Sequence, residues 1–395
     1  MDNVALYVLF VLALGIGFLL GRRERRRRKR EAAPMMIQDY FQGLNYLLNE
    51  QPDLAIETFI DSLGVNNDTV DTHLALGALV RRRGEVDKAI RIHQNILARP
   101  VLSKHNRGQA ELELARDYLL AGLLGRAESL LLDLAKGGEL KITALEHLLE
   151  IYQRERDWKR AEAIGRQLLG RNDKGVRTAL AHYLCEMAET TLVDGDIRGA
   201  RQLAARANDY DGRCFRVGLI TARIEFEAKR YREVLKNLRR ARDYRPELAA
   251  ETLELFRDSC IALAAEDDYI EYLEESVEKA PELPLVEALA AHRARTEGAE
   301  AACKFLGEQL LRRPSLKGLG RLIAEYEDAE VGVPHEYIHV VRTFAESLAA
   351  RRPLYRCKNC GFAGRSLLWQ CPSCHTWDRF EPVHDMETEL TSQTG

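Results

Sequence analysis

A recurrence constrains this chain more than any other feature. A small or β-branched apolar residue falls at Ala55, Ala89, Ala127, Ala161, Ala200 and Val234, in steps of 34, 38, 34, 39 and 34 residues. Each has its own preceding segment: Gly43-x-x-Tyr46, Gly77 with Gly84, Ala115-x-x-Tyr118 with Gly122, Leu149-x-x-Tyr152, Ala188 with Gly195, and Ala222. Self-similarity at such a period means one supersecondary unit per repeat, each too small to bury its apolar face alone. Neighbouring units must therefore stack, and each contacts chiefly the next. The pattern within a unit predicts two antiparallel helices, with the small residues where the helices approach closely and Tyr46, Tyr118 and Tyr152 filling the gap between them. An ordinary helical bundle would not hold its steps to 34–39 residues.

This is the tetratricopeptide pattern. The expected fold class is all-α, a superhelical solenoid over residues 35–350 carrying small elements at either end. The two longer steps mark insertions in turns, around Arg99 to Asn106 and Gly170 to Val176. Beyond Pro246 the period blurs. Ala290 and Ala302 with Pro314 still resemble one repeat, whereas 247–280 and 315–350 are helical with poor matches. The first helix of each repeat should line a concave face that holds a peptide, a helix or a partner domain. Counted from the pattern, inward positions are Arg81, Arg82, Arg116, Arg154, His182 and Arg223, with Arg116 and His182 expected mid-groove. Such a basic stripe suits an acidic or C-terminal partner segment; the plainer reading of each residue is a solvated helix surface.

Near the end, Cys357-x-x-Cys360 and Cys371-x-x-Cys374 stand ten residues apart. Four thiolates at this spacing suit one tetrahedral ion in a closed structural site, zinc or iron. In each pair backbone N–H groups can point at the sulfurs, Gly361 allows a left-handed turn after the first, and Pro372 fixes the backbone inside the second. Cys371-Pro372-Ser373-Cys374-His375 also reads as a haem attachment, but that would leave Cys357 and Cys360 idle. The expected module, 354–384, cannot fold on packing alone, so the metal supplies its stability and the metal-free form is locally disordered. Tyr355, Phe362, Trp369, Trp377 and Phe380 predict a mini-core, some of them packing onto preceding helices. Only Arg351-Arg352-Pro353 breaks the chain before it, which predicts docking on the last helices.

At the other end, Val4 to Gly21 is an uncharged run of eighteen residues. As a helix it would be about 27 Å long, near the hydrocarbon thickness of a bilayer. Asp2 precedes the run and eight Arg or Lys with one Glu follow at 22–30. A cleaved signal peptide wants the opposite order, so residues 1–21 read as a retained single-pass anchor with the body in the cytoplasm. The basic linker, 22–34, suits anionic headgroups. Without residues 22–30 the chain has 50 basic and 60 acidic residues, and an acidic body argues against a nucleic-acid partner. Cys185, Cys214, Cys260 and Cys303 are scattered at helical positions and read as small core residues in a reducing compartment. Phosphate loops, nucleophile elbows and H-E-x-x-H are lacking, so enzyme is the weakest class.

Anchor, basic stop, repeats and terminal thiolate module together resemble the lipopolysaccharide assembly protein B family of Gram-negative bacteria. The most specific stretches are Arg83-Gly84-Glu85-Val86-Asp87-Lys88-Ala89-Ile90-Arg91-Ile92-His93-Gln94 and Tyr355-Arg356-Cys357 with Trp369-Gln370-Cys371-Pro372-Ser373-Cys374. The tail from Asp385 departs from the family. The resemblance implies a rubredoxin-like module and an inner-membrane regulator of lipopolysaccharide synthesis. It implies an adaptor that helps a membrane-anchored AAA protease degrade the deacetylase committing precursor to lipid A. A lipopolysaccharide sensor and transport proteins would be further partners. A general scaffold that directs no proteolysis, and a redox or metal sensor at the thiolates, are the competing functions.

Overall fold

The computed structural model describes residues 69–328 apart from 101, 171, 172 and 314, residues 352–383, and isolated positions within 42–58 and 342–346. No helix among the described residues is long and apolar enough to cross a membrane. The expected anchor (1–21) and basic linker (22–34) lie outside them. The chain divides into two compact units at Glu155.

In the first unit α1 (Val70–Arg82) and α2 (Val86–Leu97) form a hairpin, α3 (Lys104–Leu120) and α4 (Leu124–Ala135) a second, and α5 (Lys141–Arg154) packs on α4. In the second, α6 (Trp158–Leu168) packs on α7 (Asp173–Val193). Hairpins follow of α7 with α8 (Ile197–Tyr210) and α9 (Phe215–Glu227) with α10 (Tyr231–Tyr244). A 3-10 segment, Pro246–Thr252, leads into α11 (Leu253–Leu263) and α12 (Glu266–Lys279). Then come α13 (Leu283–Thr296), α14 (Ala299–Arg312) and α15 (Leu316–Asp328). Each unit is a stack of tetratricopeptide-like hairpins.

The recurring small residues explain the stacking. Ala89, Ala127, Ala161, Ala200 and Val234 each occupy the fourth position of a second helix, and all are 0% exposed. Close approach leaves no room for more: a Cβ on Gly77 of α1 would lie 2.4 Å from His93 Nε2 of α2. Each second helix is also preceded by a left-handed residue: Gly84, Gly122, Arg156, Gly195, Lys229, Ala264 and Gly298 all have positive φ. At five of these turns the following N–H reaches back five residues, as in Leu123 to Tyr118 O (2.8 Å) and Ala265 to Cys260 O (3.0 Å). That is the Schellman closure, which satisfies a carbonyl the helix end would leave bare. The same device at Ala264 reveals a regular hairpin within 247–280. Its second helix carries Tyr269 where the others carry a small residue, which hides the repeat from the sequence.

The two longer steps are not confined to turns. Much of the extra chain extends first helices, α3 at 17 residues and α7 at 21, against 13 for α1 and α9. Ser103 starts α3 by accepting the N–H of Asn106 at 3.1 Å. Ties between successive hairpins keep one register. Gln94 donates to Tyr118 Oη (3.0 Å) and Tyr152 to Glu128 (2.7 Å), each pair 24 residues apart.

The C-terminal ribbon has three short antiparallel strands, β1 (Tyr355–Cys357), β2 (Ala363–Gly364) and β3 (Phe380–Pro382), in the order β2-β1-β3. Tyr355 lies opposite both Gly364 and Pro382.

Candidate metal centre

The two Cys pairs fold into matching turns. Gly361 N–H donates to Cys357 O and His375 N–H to Cys371 O, both at 2.9 Å, and both residues are left-handed (φ 78° and 54°). Gly361 takes that conformation freely, whereas His375 strains its Cβ against the backbone. Within each turn two N–H groups face the first sulfur: those of Asn359 and Cys360 toward Cys357, those of Ser373 and Cys374 toward Cys371.

All four Sγ atoms lie within 4.8 Å of one another, with Cys357–Cys374 at 3.7 Å and Cys360–Cys371 at 3.6 Å. A tetrahedron with metal–sulfur bonds of about 2.3 Å has edges of about 3.8 Å, so the sulfurs fit a single ion. The site holds one structural metal ion between these thiolates. Thr376 Oγ1, 2.9 Å from Cys374 Sγ, together with Asn359 holds that thiol down at about 5, so it ionises readily at neutral pH. Four converging sulfurs leave no free pair for haem, and His375 is exposed on the rim, away from any ligand role. Cys185, Cys214, Cys260 and Cys303 are buried and thiol-form, and burial pushes Cys214 up to about 12.

Phe380 packs against Cys357 and Cys371 inside the ribbon. The two tryptophans point outward and join it to the helices. Trp377 stacks on His182 of α7 (centroids 4.9 Å apart, 25°) and meets Tyr183 and Trp158 edge-on at 5.7 and 5.9 Å. Trp369 covers the Arg216 guanidinium of α9 at 5.5 Å. Arg216 is 2% exposed and donates to Glu186 (2.8 Å) and Glu189 (2.9 Å). Below this strip Arg245 donates to Asp378 and to Phe380 O, both at 3.3 Å, and Tyr355 donates to Glu251. Among the described residues the ribbon's tryptophans and Asp378 find their buried partners between Trp158 and Glu251, mid-chain, rather than on the last helices expected, most of which lie outside the described residues.

The expected groove residues have diverse surroundings. His182 does not face an open groove: it is fully buried beneath Trp377, its Nε2 3.8 Å from Cys214 Sγ. Burial, reinforced by the Arg216 charge, pushes its imidazole well below the ordinary value. Arg81 is mostly buried, donating to Asp117 (2.9 Å) and Glu113 (2.6 Å). Arg116, half-exposed, donates to Glu113 and His147. Arg154 pairs with Glu150 at 2.5 Å, Arg223 lies 3.8 Å from Glu189, and Arg82 is exposed. Sequence reasoning missed the buried charges themselves. Asp117, Arg216 and Arg242 look like surface residues on helices, and only their spacing to a partner in the next hairpin hints otherwise.

A family model described as a rubredoxin metal binding domain matches residues 355–382. Lipopolysaccharide assembly protein B of Escherichia coli strain K12 is 33% identical over 387 residues, 97% of this chain and 98% of that protein. The Haemophilus influenzae protein of the same name is 29% identical over 97% of this chain and 98% of its own length. Among solved structures, a tetratricopeptide repeat protein from Parabacteroides merdae aligns to 71% of this chain and all of its own at 13% identity and TM-score 0.32. The Naa15/Naa10 complex bound to HypK-THB aligns to 80% of this chain and 51% of its own, at 14% and 0.42. Similarity to relatives along nearly the whole length, ribbon included, settles the assignment: this chain belongs to the lipopolysaccharide assembly protein B family.

Proposed function

We propose that this protein is a non-catalytic adaptor of lipopolysaccharide assembly, held at the inner membrane by residues 1–21 with its body on the cytoplasmic side. It presents the lipid A-committing deacetylase to a membrane-anchored AAA protease. The observation that carries the reading is the union, in one chain with full-length relatives of that name, of helical repeats and a closed four-thiolate site. Such a site has no open ligand position for catalysis, and stacked hairpins offer surfaces suited to protein partners. An anchor raises effective concentration beside a membrane protease without new contacts. Arg82, Arg116, Arg154 and Arg223 are the proposed contacts to acidic partner segments. The ion pairs of Arg116, Arg154 and Arg223 are at least partly solvated, and such pairs exchange at little cost.

The test is the half-life of the deacetylase in cells with and without this protein. A longer half-life on depletion, restored by the anchored form and not by a form lacking residues 1–21, is the expected result. An unchanged half-life would replace this reading with a scaffold that gathers synthesis and transport proteins without directing proteolysis.

A further inference from the structure

The ribbon covers α7 and α9, so in this part of the second unit the first helices already have a partner. The second helices do not. A cleft of about 750 Å³ runs between α10 and the turn that joins α11 to α12. Leu235, Leu263 and Tyr244 give it apolar surface, and Arg232, Lys236, Arg239 and Arg240 stand along it. These cations recur at i, i+4 and i+7/i+8, which is one row on a helix, about 12 Å long.

The charge of this cleft is unbalanced. Its lining carboxylates are Asp243 and Asp268, and both are already paired. Asp243 accepts from Lys279 (2.7 Å) and Arg242 (3.1 Å), and Asp268 from Arg239 (3.4 Å). Arg239 also holds Glu271 at 3.0 Å, so its charge is matched. Arg240 donates to neutral acceptors, Tyr244 Oη at 2.9 Å and Gly212 O at 3.2 Å, which fix the guanidinium and leave its charge unopposed. Lys236 is 78% exposed and 3.9 Å from Glu233. Arg232 has no ion-pair partner among the described residues. Three cations in one row therefore remain for a ligand. A single phosphate gathers guanidinium groups around one point, whereas these are spread along a line beside apolar surface. The line matches carboxylates spaced along a polypeptide, with apolar side chains between them.

We propose that this cleft binds an acidic, leucine-bearing segment of a partner protein. The segment's carboxylates meet Arg232, Lys236 and Arg240, and its apolar side chains meet Leu235 and Leu263. Exposed ion pairs are weak singly, so the row of cations and the apolar contact act together. This surface lies on second helices and uses none of the first-helix arginines. Its binding does not depend on whether the partner is degraded.

The test is fluorescence anisotropy of a labelled peptide of four Glu-Glu-Leu repeats, titrated with the full chain in a non-ionic detergent. The native protein is compared with Arg232→Glu/Lys236→Glu. Both residues are exposed, and an unchanged melting temperature shows that the variant is folded. Affinity is expected to fall at least about tenfold in this variant. It should fall less than about twofold in Lys304→Glu/Arg312→Glu, which reverses two exposed cations of α14 and changes the net charge equally. Equal losses in the two variants, or no loss in the first, overturn the proposal. Displacement of the peptide by inorganic phosphate, at an ionic strength where chloride has no effect, overturns it in favour of a point-anion site. Hydrogen exchange along α10 that slows in phosphatidylglycerol relative to phosphatidylcholine nanodiscs overturns it and assigns the row to the bilayer. Exchange there that slows with rising protein concentration overturns it and assigns the row to a second copy.

Discussion

The most deeply buried charged residue of the first unit is an anion and that of the second is a cation. In the first, Asp117 is inaccessible and sits between Arg81 (2.9 Å) and His93 Nδ1 (2.5 Å). Arg81 also holds Glu113, at 2.6 Å. In the second it is Arg216, with Glu186 and Glu189 beneath it and Trp369 over its face. The anion is enclosed by residues of neighbouring hairpins that are themselves buried. The cation is closed off by a side chain from the ribbon, while its carboxylates remain 30% and 33% exposed. A network confined to adjacent repeats persists as long as the repeats do. One completed by a metal-dependent module persists only as long as the metal stays.

The strongest way to break this contrast is to remove the metal. Chelation or Cys371→Ser is expected to unfold the ribbon, since a structural thiolate site contributes on the order of 10 kcal/mol to a small module. Trp369 and Trp377 should then shift to the red in fluorescence, and protease should cut within 354–383. Unchanged emission and protease resistance would show that packing alone suffices. Metal analysis of the purified protein separates zinc from iron.

Next in size is Asp117→Ala, which removes the carboxylate between His93 and Arg81 and leaves Arg81 with Glu113. Breaking a buried pair from one side costs about 3–5 kcal/mol, measurable by urea denaturation. Arg216→Met should cost less, about 1–3 kcal/mol, because its carboxylates can rehydrate while the methionine keeps contact with Trp369. A larger loss for Arg216 than for Asp117 would invert the comparison.

Acid should sharpen it. His182 is neutral in the folded protein, whereas the unfolded chain binds a proton below about 6.5. Its contribution to stability is therefore complete above that pH and declines as pH falls, by up to about 1.4 kcal/mol per pH unit. The His182→Phe variant should show a flatter pH dependence of stability between 6.5 and 5. Glu113 loses its contribution lower. Burial opposes its ionisation, but the Arg81 hydrogen bond with the Arg116 and Arg81 charges holds it below the ordinary carboxylate value. Its share is present above that ordinary value and is lost as pH falls through the depressed one.

The smallest effect is a gain. His375→Gly relieves the left-handed strain after the second Cys pair and should stabilise the ribbon by at most about 1 kcal/mol, read from metal release under denaturant.

The repeats were legible because one constraint, close helix approach, repeats with the fold and leaves alanines in its wake. Where Tyr269 stands in the alanine position and Ala264 in the glycine position, the same backbone left no mark. The metal site was legible because its chemistry demands four residues of one type at short spacing. His182 was not: a helical period says which way a side chain points but not what covers it. Its cover, Trp377, comes from the far end of the chain. Asp117 escaped for a related reason, since a carboxylate on a helix looks solvated until its partners in the preceding hairpin are known.

The sequence distance of the contacts orders events during synthesis. Ties between hairpins join residues 24 apart, so they can close as soon as the next hairpin leaves the ribosome. Arg245 and Asp378 are 133 apart. Throughout elongation past α9, the α7–α9 strip therefore lacks its tryptophans, with Phe215 and Tyr183 uncovered and Arg216 without its aromatic lid. Such a surface is what a chaperone binds. The codons for the ribbon, 355–383, thus decide when this surface is covered.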